Sequence, residues 1–268
     1  MQKGENDLYA KGISVFSFLQ RKTPVEIFAR HCHFSKVSAH KSRPPYFSKE
    51  KCFYNLLNTL SKETNCRLTF FLDTFYPMEE KHYLFSQDKY PIVEVSEGKE
   101  ASSFLQMLDY VLKKKLSPET IIYFVEDDYI HREGWVSMLR EAFTLQEADY
   151  VTLYDHKDKY FFPDYQDLHS KIFPTKSCHW RVTPSTTNTY AMRLRTLIRD
   201  EEIHRAFSQG KSITEDHAKF QALSKRGSLL LSPMPGFSTH VETEFLSPCV
   251  DWEKVLEDSL SSFPKIGG

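Results

Sequence analysis

The sequence predicts an α/β fold in which a mostly parallel sheet is flanked by helices within a single domain. Strand-length apolar runs alternate with segments whose apolar residues recur at helical spacing, and that alternation implies right-handed crossovers between parallel strands. The length allows it: a chain of 268 residues can bury about three quarters of its unfolded surface in one compact domain.

The first expected strand is residues 13–19 (ISVFSFL). Thr23-Pro-Val-Glu26 then has the form of a capping box with Pro at the first helical position, so a helix carrying His31 and His33 is expected next. Strands follow at 67–73 (RLTFFLD) and 91–95 (PIVEV). Phe104, Leu105, Leu108, Val111 and Leu112 form one apolar helical stripe. Residues 121–126 (IIYFVE) are apolar on both faces, as strands covered on both sides tend to be, and a helix around 134–143 and a strand at 149–155 (DYVTLYD) come after. The pattern then loosens into an aromatic, polar loop that runs to residue 189. Helices are expected near 193–207 and 215–226, the second with Thr214 as N-cap and Gly227 just past its end. The core spans about 13–242, and residues 251–261 read as a peripheral helix.

Composition excludes some classes. Lys and Arg number 35 against 36 Asp and Glu, a net charge of −1, which argues against a protein whose main task is to neutralise nucleic acid. No apolar run reaches the roughly 18 to 20 residues of a membrane helix, and MQKGENDLYAKG lacks the apolar core of a secretory signal. A cytoplasmic chain, at most peripheral to a membrane, is expected. Cys32, Cys52, Cys66, Cys178 and Cys249 form no CxxC pair, so reduced thiols are expected rather than disulfides or thiolate zinc.

The sharpest chemical feature is Glu126-Asp127-Asp128, three carboxylates closing an apolar strand. Like charges this close raise one another's pKa unless a cation compensates, and carboxylate oxygens suit Mg²⁺ or Mn²⁺; a solvated acidic turn is the plain alternative. In an extended stretch Glu126 and Asp128 point to one side and Asp127 to the other. Asp216 opens a helix, where an acidic first turn is ordinary capping, yet a carboxylate at a pocket edge also suits a general base. His240 lies in a turn-rich loop and could complete a site begun by Asp128. His31, His33 and His156 have weaker claims. Trp180 and Arg181, in a loop rich in Ser and Thr, suit sugar faces or phosphate, with ordinary loop packing as the alternative. Neither GxGxxG, GxxxxGK[ST] nor GxSxG occurs.

In order along the chain, ISVFSFLQR, a strand ending in Asp73, the acidic triplet and the TEDHAKFQALSKRG helix resemble the GT-A nucleotide-sugar glycosyltransferases over residues 13–242. Glu126-Asp127-Asp128 is similar to the DxD-type element of that superfamily. Thr214-Glu215-Asp216, with Phe220, Leu223 and Arg226, resembles the acceptor helix of its family 2 members. Small bacterial and large-DNA-virus transferases with a VEDDY segment, a KSCHWR-like loop and a PGFSTH-like tail are nearest in pattern. The resemblance implies a Rossmann-like GT-A fold and metal-dependent, inverting transfer from a UDP- or GDP-type sugar to a glycan or lipid-linked hydroxyl. By it, Asp128, Glu126 and His240 hold Mn²⁺ or Mg²⁺; Ser17, Phe18, Arg21, Asp73 and Ser103 border the nucleotide, with Asp127 beside them. Trp180 and Arg181 contact the donor sugar or acceptor, and Asp216 is the base. A metal-dependent phosphoesterase and a non-catalytic carbohydrate-binding protein are the rival readings.

Overall fold

The computed structural model describes residues 23–35, 38–76 and 80–261. Ser17, Phe18, Arg21 and the strand expected at 13–19 lie outside the described residues.

The first described element corrects an expectation. Val25–Cys32 is a strand, β1, and not the helix that the capping-box signal suggests. Val25, Ile27 and Ala29 pack into one core and Phe28 into another on the opposite face. Burial on both faces of a β-branched and aromatic segment outweighs a local helix-start signal. The neighbours repeat the pattern. In β2 (Cys66–Asp73), Leu68, Phe70 and Leu72 face the first core while Phe71 faces the second. In β4 (Ile121–Glu126), Ile121, Tyr123 and Val125 alternate with Ile122 and Phe124.

With β3 (Ile92–Val95), these strands form a parallel array in the order β3-β2-β1-β4. The sheet continues through β9 (Tyr190–Arg193), β6 (Tyr150–Val151), β10 (Leu230–Met234), β8 (His179–Val182) and β7 (Ile172–Pro174). β9 and β8 run against the other seven strands, so the mostly parallel α/β sheet expected from the sequence is present. The loop expected up to residue 189 supplies β7 and β8. A separate two-stranded ribbon joins β5 (Tyr129–His131) to β11 (Ser238–His240).

Of the helices, α1 (Lys49–Ser61) is capped by the Ser48 side chain. α2 (Glu100–Lys113) buries Phe104, Leu108 and Val111 from the expected stripe. α3 (Trp135–Ala142) follows β5. The single helix expected near 193–207 is broken at Asp200 into α4 (Leu194–Arg199) and α5 (Glu201–Ala206). α6 (Asp216–Lys225) ends with Gly227 at φ +89°, as its sequence suggested. Its N-cap is Glu215 and not Thr214, whose amide is instead engaged by Glu100 Oε2 at 2.7 Å. α7 (Trp252–Ser261) packs on α1 and β5. No helix among the described residues is long and apolar enough to cross a membrane.

The chain passes from β1 outward to β2 and β3, then returns to the other side of β1 with β4. The direction of winding therefore reverses between β1 and β4, and in open α/β sheets the crevice beyond the carboxyl ends at such a point is where ligands bind.

Candidate functional site

A cavity of about 280 Å³ opens beyond the ends of β1 and β2, lined among others by Arg30, Phe34, Asp73, Lys99, Glu100 and Ser103. Asp73 builds its wall. Oδ1 accepts from the amides of Phe75 and Glu97, both oxygens accept from Gly98 N, and the Ser103 hydroxyl donates to Oδ2. The carboxylate is thus committed to shaping the loop. Gly98 is required there: its φ is +65°, and a Cβ would lie 2.3 Å from the Phe75 ring.

Arg30 stands between this cavity and the acidic triplet. Its Nη2 donates to Glu126 Oε1 at 2.6 Å and to Glu100 Oε1 at 3.2 Å, while its buried Nε has no hydrogen-bond partner among the described residues. Burial opposes the guanidinium charge, but Glu100 and Glu126 outweigh it and hold the proton more tightly. Glu126 answers the other way: burial, offset in part by Arg30, pushes its carboxyl up to about 8.

The three carboxylates fan out to three different cations. Asp127 takes Lys49 Nζ at 2.7 Å and the Cys32 amide at 3.1 Å. Burial works against its charge, and Lys49 and His31 reverse that, so the carboxyl lies below its usual range. Asp128 Oδ2 takes Arg43 Nη2 at 2.7 Å and His240 Nε2 at 2.9 Å. Burial is overcome there by His240, Lys41 and Arg43, which hold Asp128 well below the carboxylate range. His240 is delivered by the ribbon: it faces Tyr129 in the β5–β11 register, and Val241 N donates to Asp128 O. Nδ1 of the same imidazole lies 3.4 Å from Glu242.

Asp216, at the start of α6, has a side chain 19% exposed and accepts from Lys219 Nζ at 2.9 Å. Burial raises its carboxyl to about 6, with Lys219 opposing and Glu100 adding to the rise. Lys219 is fully buried and also donates to Asn188 Oδ1 at 3.1 Å and Tyr190 Oη at 3.2 Å. Glu100 links the two halves, since its Oε1 also accepts from Asn188.

Tertiary structure therefore brings Asp73, Ser103, Glu126, Asp127, Asp128, His240 and Asp216 to one end of the sheet. Two expectations need correction. The ligand set Glu126, Asp128 and His240 does not assemble, because Glu126 is turned to Arg30; no group of three or more His, Cys, Asp or Glu side chains among the described residues is arranged to hold a metal. Trp180 is no ligand contact: it is fully buried in the first core, and its indole N–H donates to Thr175 Oγ1 at 3.0 Å. Arg181, nearly buried, pairs with Asp155 at 2.7 Å and covers the Tyr160 ring. His31 is a core histidine that burial takes down to about 3. Cys32 lines the cavity, but burial and Asp127 push its thiol up to about 11.

Sequence reasoning missed Arg30, Arg43, Lys49, Glu100 and Lys219. Arg30 was detectable as a lone cation inside an apolar strand, and Lys219 by its i, i+3 spacing from Asp216. Arg43 and Lys49 carried no local signal.

No protein-family model and no curated protein matches the chain. Solved structures do. The bifunctional IspDF of Campylobacter jejuni is 11% identical over 78% of this chain, with a TM-score of 0.42, and this chain spans about half (49%) of that protein's length. The 4-diphosphocytidyl-2C-methyl-D-erythritolsynthase of Anaerococcus prevotii DSM 20548 is 10% identical over 91% of this chain and 98% of its own, with a TM-score of 0.45. Neither is named as a glycosyltransferase, and the expectation of metal-dependent inverting glycosyl transfer is withdrawn on that finding.

Proposed function

We propose that this chain is a nucleotide-binding transferase whose nucleotide occupies the cavity beyond β1 and β2 and whose acceptor is deprotonated by Asp216. The observation that carries this reading is Arg30: a guanidinium at the cavity wall, nine-tenths buried and held through Nη2 by Glu100 and Glu126. Arg presents a planar fork of donors that matches phosphate oxygens, and Lys does not. Phe34 and Tyr76 line the same cavity with ring centroids 5.5 Å apart, an apolar edge suited to a base.

Asp128 and His240 would be the side chains to hold a divalent ion, Mg²⁺ or Mn²⁺, but they already meet Arg43 Nη2 at 2.7 Å and Lys41 Nζ at 3.2 Å, which the ion would have to displace; its chemistry would be to neutralise phosphate charge. A hard ion with few protein ligands completes its shell with water and substrate oxygens. The chain's own residues do the rest. Lys219 keeps Asp216 in place, Arg30 holds the phosphate end, and Asp216 with a midpoint near 6 is ionised at neutral pH yet basic enough to accept a proton from an acceptor hydroxyl.

Calorimetric titration with nucleoside di- and triphosphates, with and without Mg²⁺ or Mn²⁺, tests the reading. At least one nucleotide is expected to bind, and Arg30→Lys is expected to weaken it about tenfold or more, since the point charge survives and the planar fork of donors does not. Failure of the whole panel to bind, or equal binding by Arg30→Lys, would refute it.

A further inference from the structure

Tyr150, Tyr190, Asp200 and His204 lie behind Lys219 in the second core region, and none is more than 2% exposed. They form an unbroken hydrogen-bonded chain. Lys219 Nζ meets Tyr190 Oη at 3.2 Å, and Tyr190 Oη meets His204 Nδ1 at 3.1 Å. On the far side of the ring, His204 Nε2 meets Tyr150 Oη at 3.1 Å, and Tyr150 donates to Asp200 Oδ2 at 2.8 Å. Arg199 closes the far end on both oxygens of Asp200, at 3.0 and 2.7 Å.

Proton counting gives this chain one direction. An ammonium has only donors to offer, and a carboxylate gripped by Arg only acceptors. The Tyr190 oxygen accepts from Lys219, so its own proton goes to His204 Nδ1. Nε2 must then carry the ring proton and give it to Tyr150, whose proton goes to Asp200. Reversing any link sets two hydrogens or two lone pairs face to face in a buried place, where a mismatch costs most.

We propose that His204 is a positioning residue for Asp216: a neutral imidazole locked in the Nε2–H tautomer that orients Tyr190 and, through it, seats Lys219 against the base. The role as stated rests on the reading of Asp216 as the base. Lys219 has three acceptors, Asp216, Asn188 and Tyr190, and a buried ammonium needs all of them. A charged His204 would set a second cation behind the first, and burial together with Lys219 keeps the ring neutral. The charged groups facing Asp216 are Lys219 on its own helix, Glu100 on α2 and Arg30 on β1.

Nitrogen-15 NMR of histidine-labelled full-length chain reads the tautomer: a bare Nδ1 with a protonated Nε2 at residue 204 is expected, and the opposite tautomer or a doubly protonated ring overturns the proposal. Carbonyl carbon-13 titration of Asp216 reads the consequence. Tyr190→Phe removes one oxygen from a ring whose packing is kept, so it remains informative even where His204→Gln fails to fold. Loss of that acceptor loosens Lys219, and the Asp216 midpoint is expected to rise by about one pH unit, a tenfold change in proton affinity. Superimposable titration curves overturn the proposal. Both measurements need no nucleotide: a wild type that transfers nothing refutes the function while leaving them interpretable, and an active wild type with an unmoved Asp216 refutes only the positioning role. In the active enzyme Tyr190→Phe should lower kcat and shift its acidic limb upward while leaving the nucleotide KM unchanged, the split that a merely structural role would not give.

Discussion

Asp128 Oδ2 lies 2.9 Å from His240 Nε2 across 112 residues of sequence. The contact is made by the short ribbon that pairs β5 with β11, so the imidazole is fixed by backbone register and not by a flexible loop. If this pair holds a divalent ion beside bound nucleotide, chelation should weaken nucleotide affinity in the wild type and have no effect in Asp128→Ala. Calorimetry with and without EDTA decides it; an Asp128→Ala protein that still responds to EDTA like the wild type would put the ion elsewhere.

The Asp216 carboxyl, raised by burial to about 6, sets a pH dependence. A base must be ionised to work, so turnover should fall as pH drops through about 6, with a single acidic limb. Asp216→Asn should retain nucleotide binding and lose about 10²-fold or more in kcat. Rate profiles of both proteins check this, and a limb near 4 in the wild type would contradict the assignment.

Stability should follow the depressed carboxyls. Asp127 and Asp128 lie below their unfolded values, so their contribution is fully present above about pH 4 and is lost as pH falls through their lower folded values. Asp127→Asn leaves Lys49 facing a neutral amide and should cost about 2 to 4 kcal/mol at pH 7, toward the lower end because Lys49 is 20% exposed. Urea unfolding at pH 7 and pH 3 measures both effects: the difference between the two proteins should shrink at the lower pH.

Gly98 is constrained twice, by its positive φ and by the Phe75 ring. Gly98→Ala should destabilise by about 1 to 3 kcal/mol and weaken nucleotide binding, because the loop tied to Asp73 forms the cavity wall. Chemical denaturation and nucleotide titration of the one variant give both numbers.

Trp180 separates core from site. Trp180→Ala should cost about 3 to 5 kcal/mol, while Trp180→Phe, which keeps most of the packing, should bind nucleotide as the wild type does. A selective loss of binding in the Phe variant would return this residue to the site.

The alternation of apolar strands and helical stripes was legible in the sequence because period-2 and period-3.6 burial are written locally: IIYFVE, RLTFFLD and the Phe104–Leu108–Val111 stripe lie where their patterns put them. The carboxylates at the strand ends were legible too, since an apolar run that ends in three acids must place them at the sheet's edge. What the acids face was decided only by tertiary structure. Arg30, Arg43 and Lys49 reach Glu126, Asp128 and Asp127 across separations of 96, 85 and 78 residues, and no local pattern encodes such pairings. The same holds for Val25–Cys32, where a helix-start signal of about 1 kcal/mol was overruled by burial of Val25, Ile27, Phe28 and Ala29 between two cores, each large side chain contributing about 1.5 to 3 kcal/mol. Periodicity records which faces are apolar; long-range packing and charge pairing decide what those faces and their flanking charges meet.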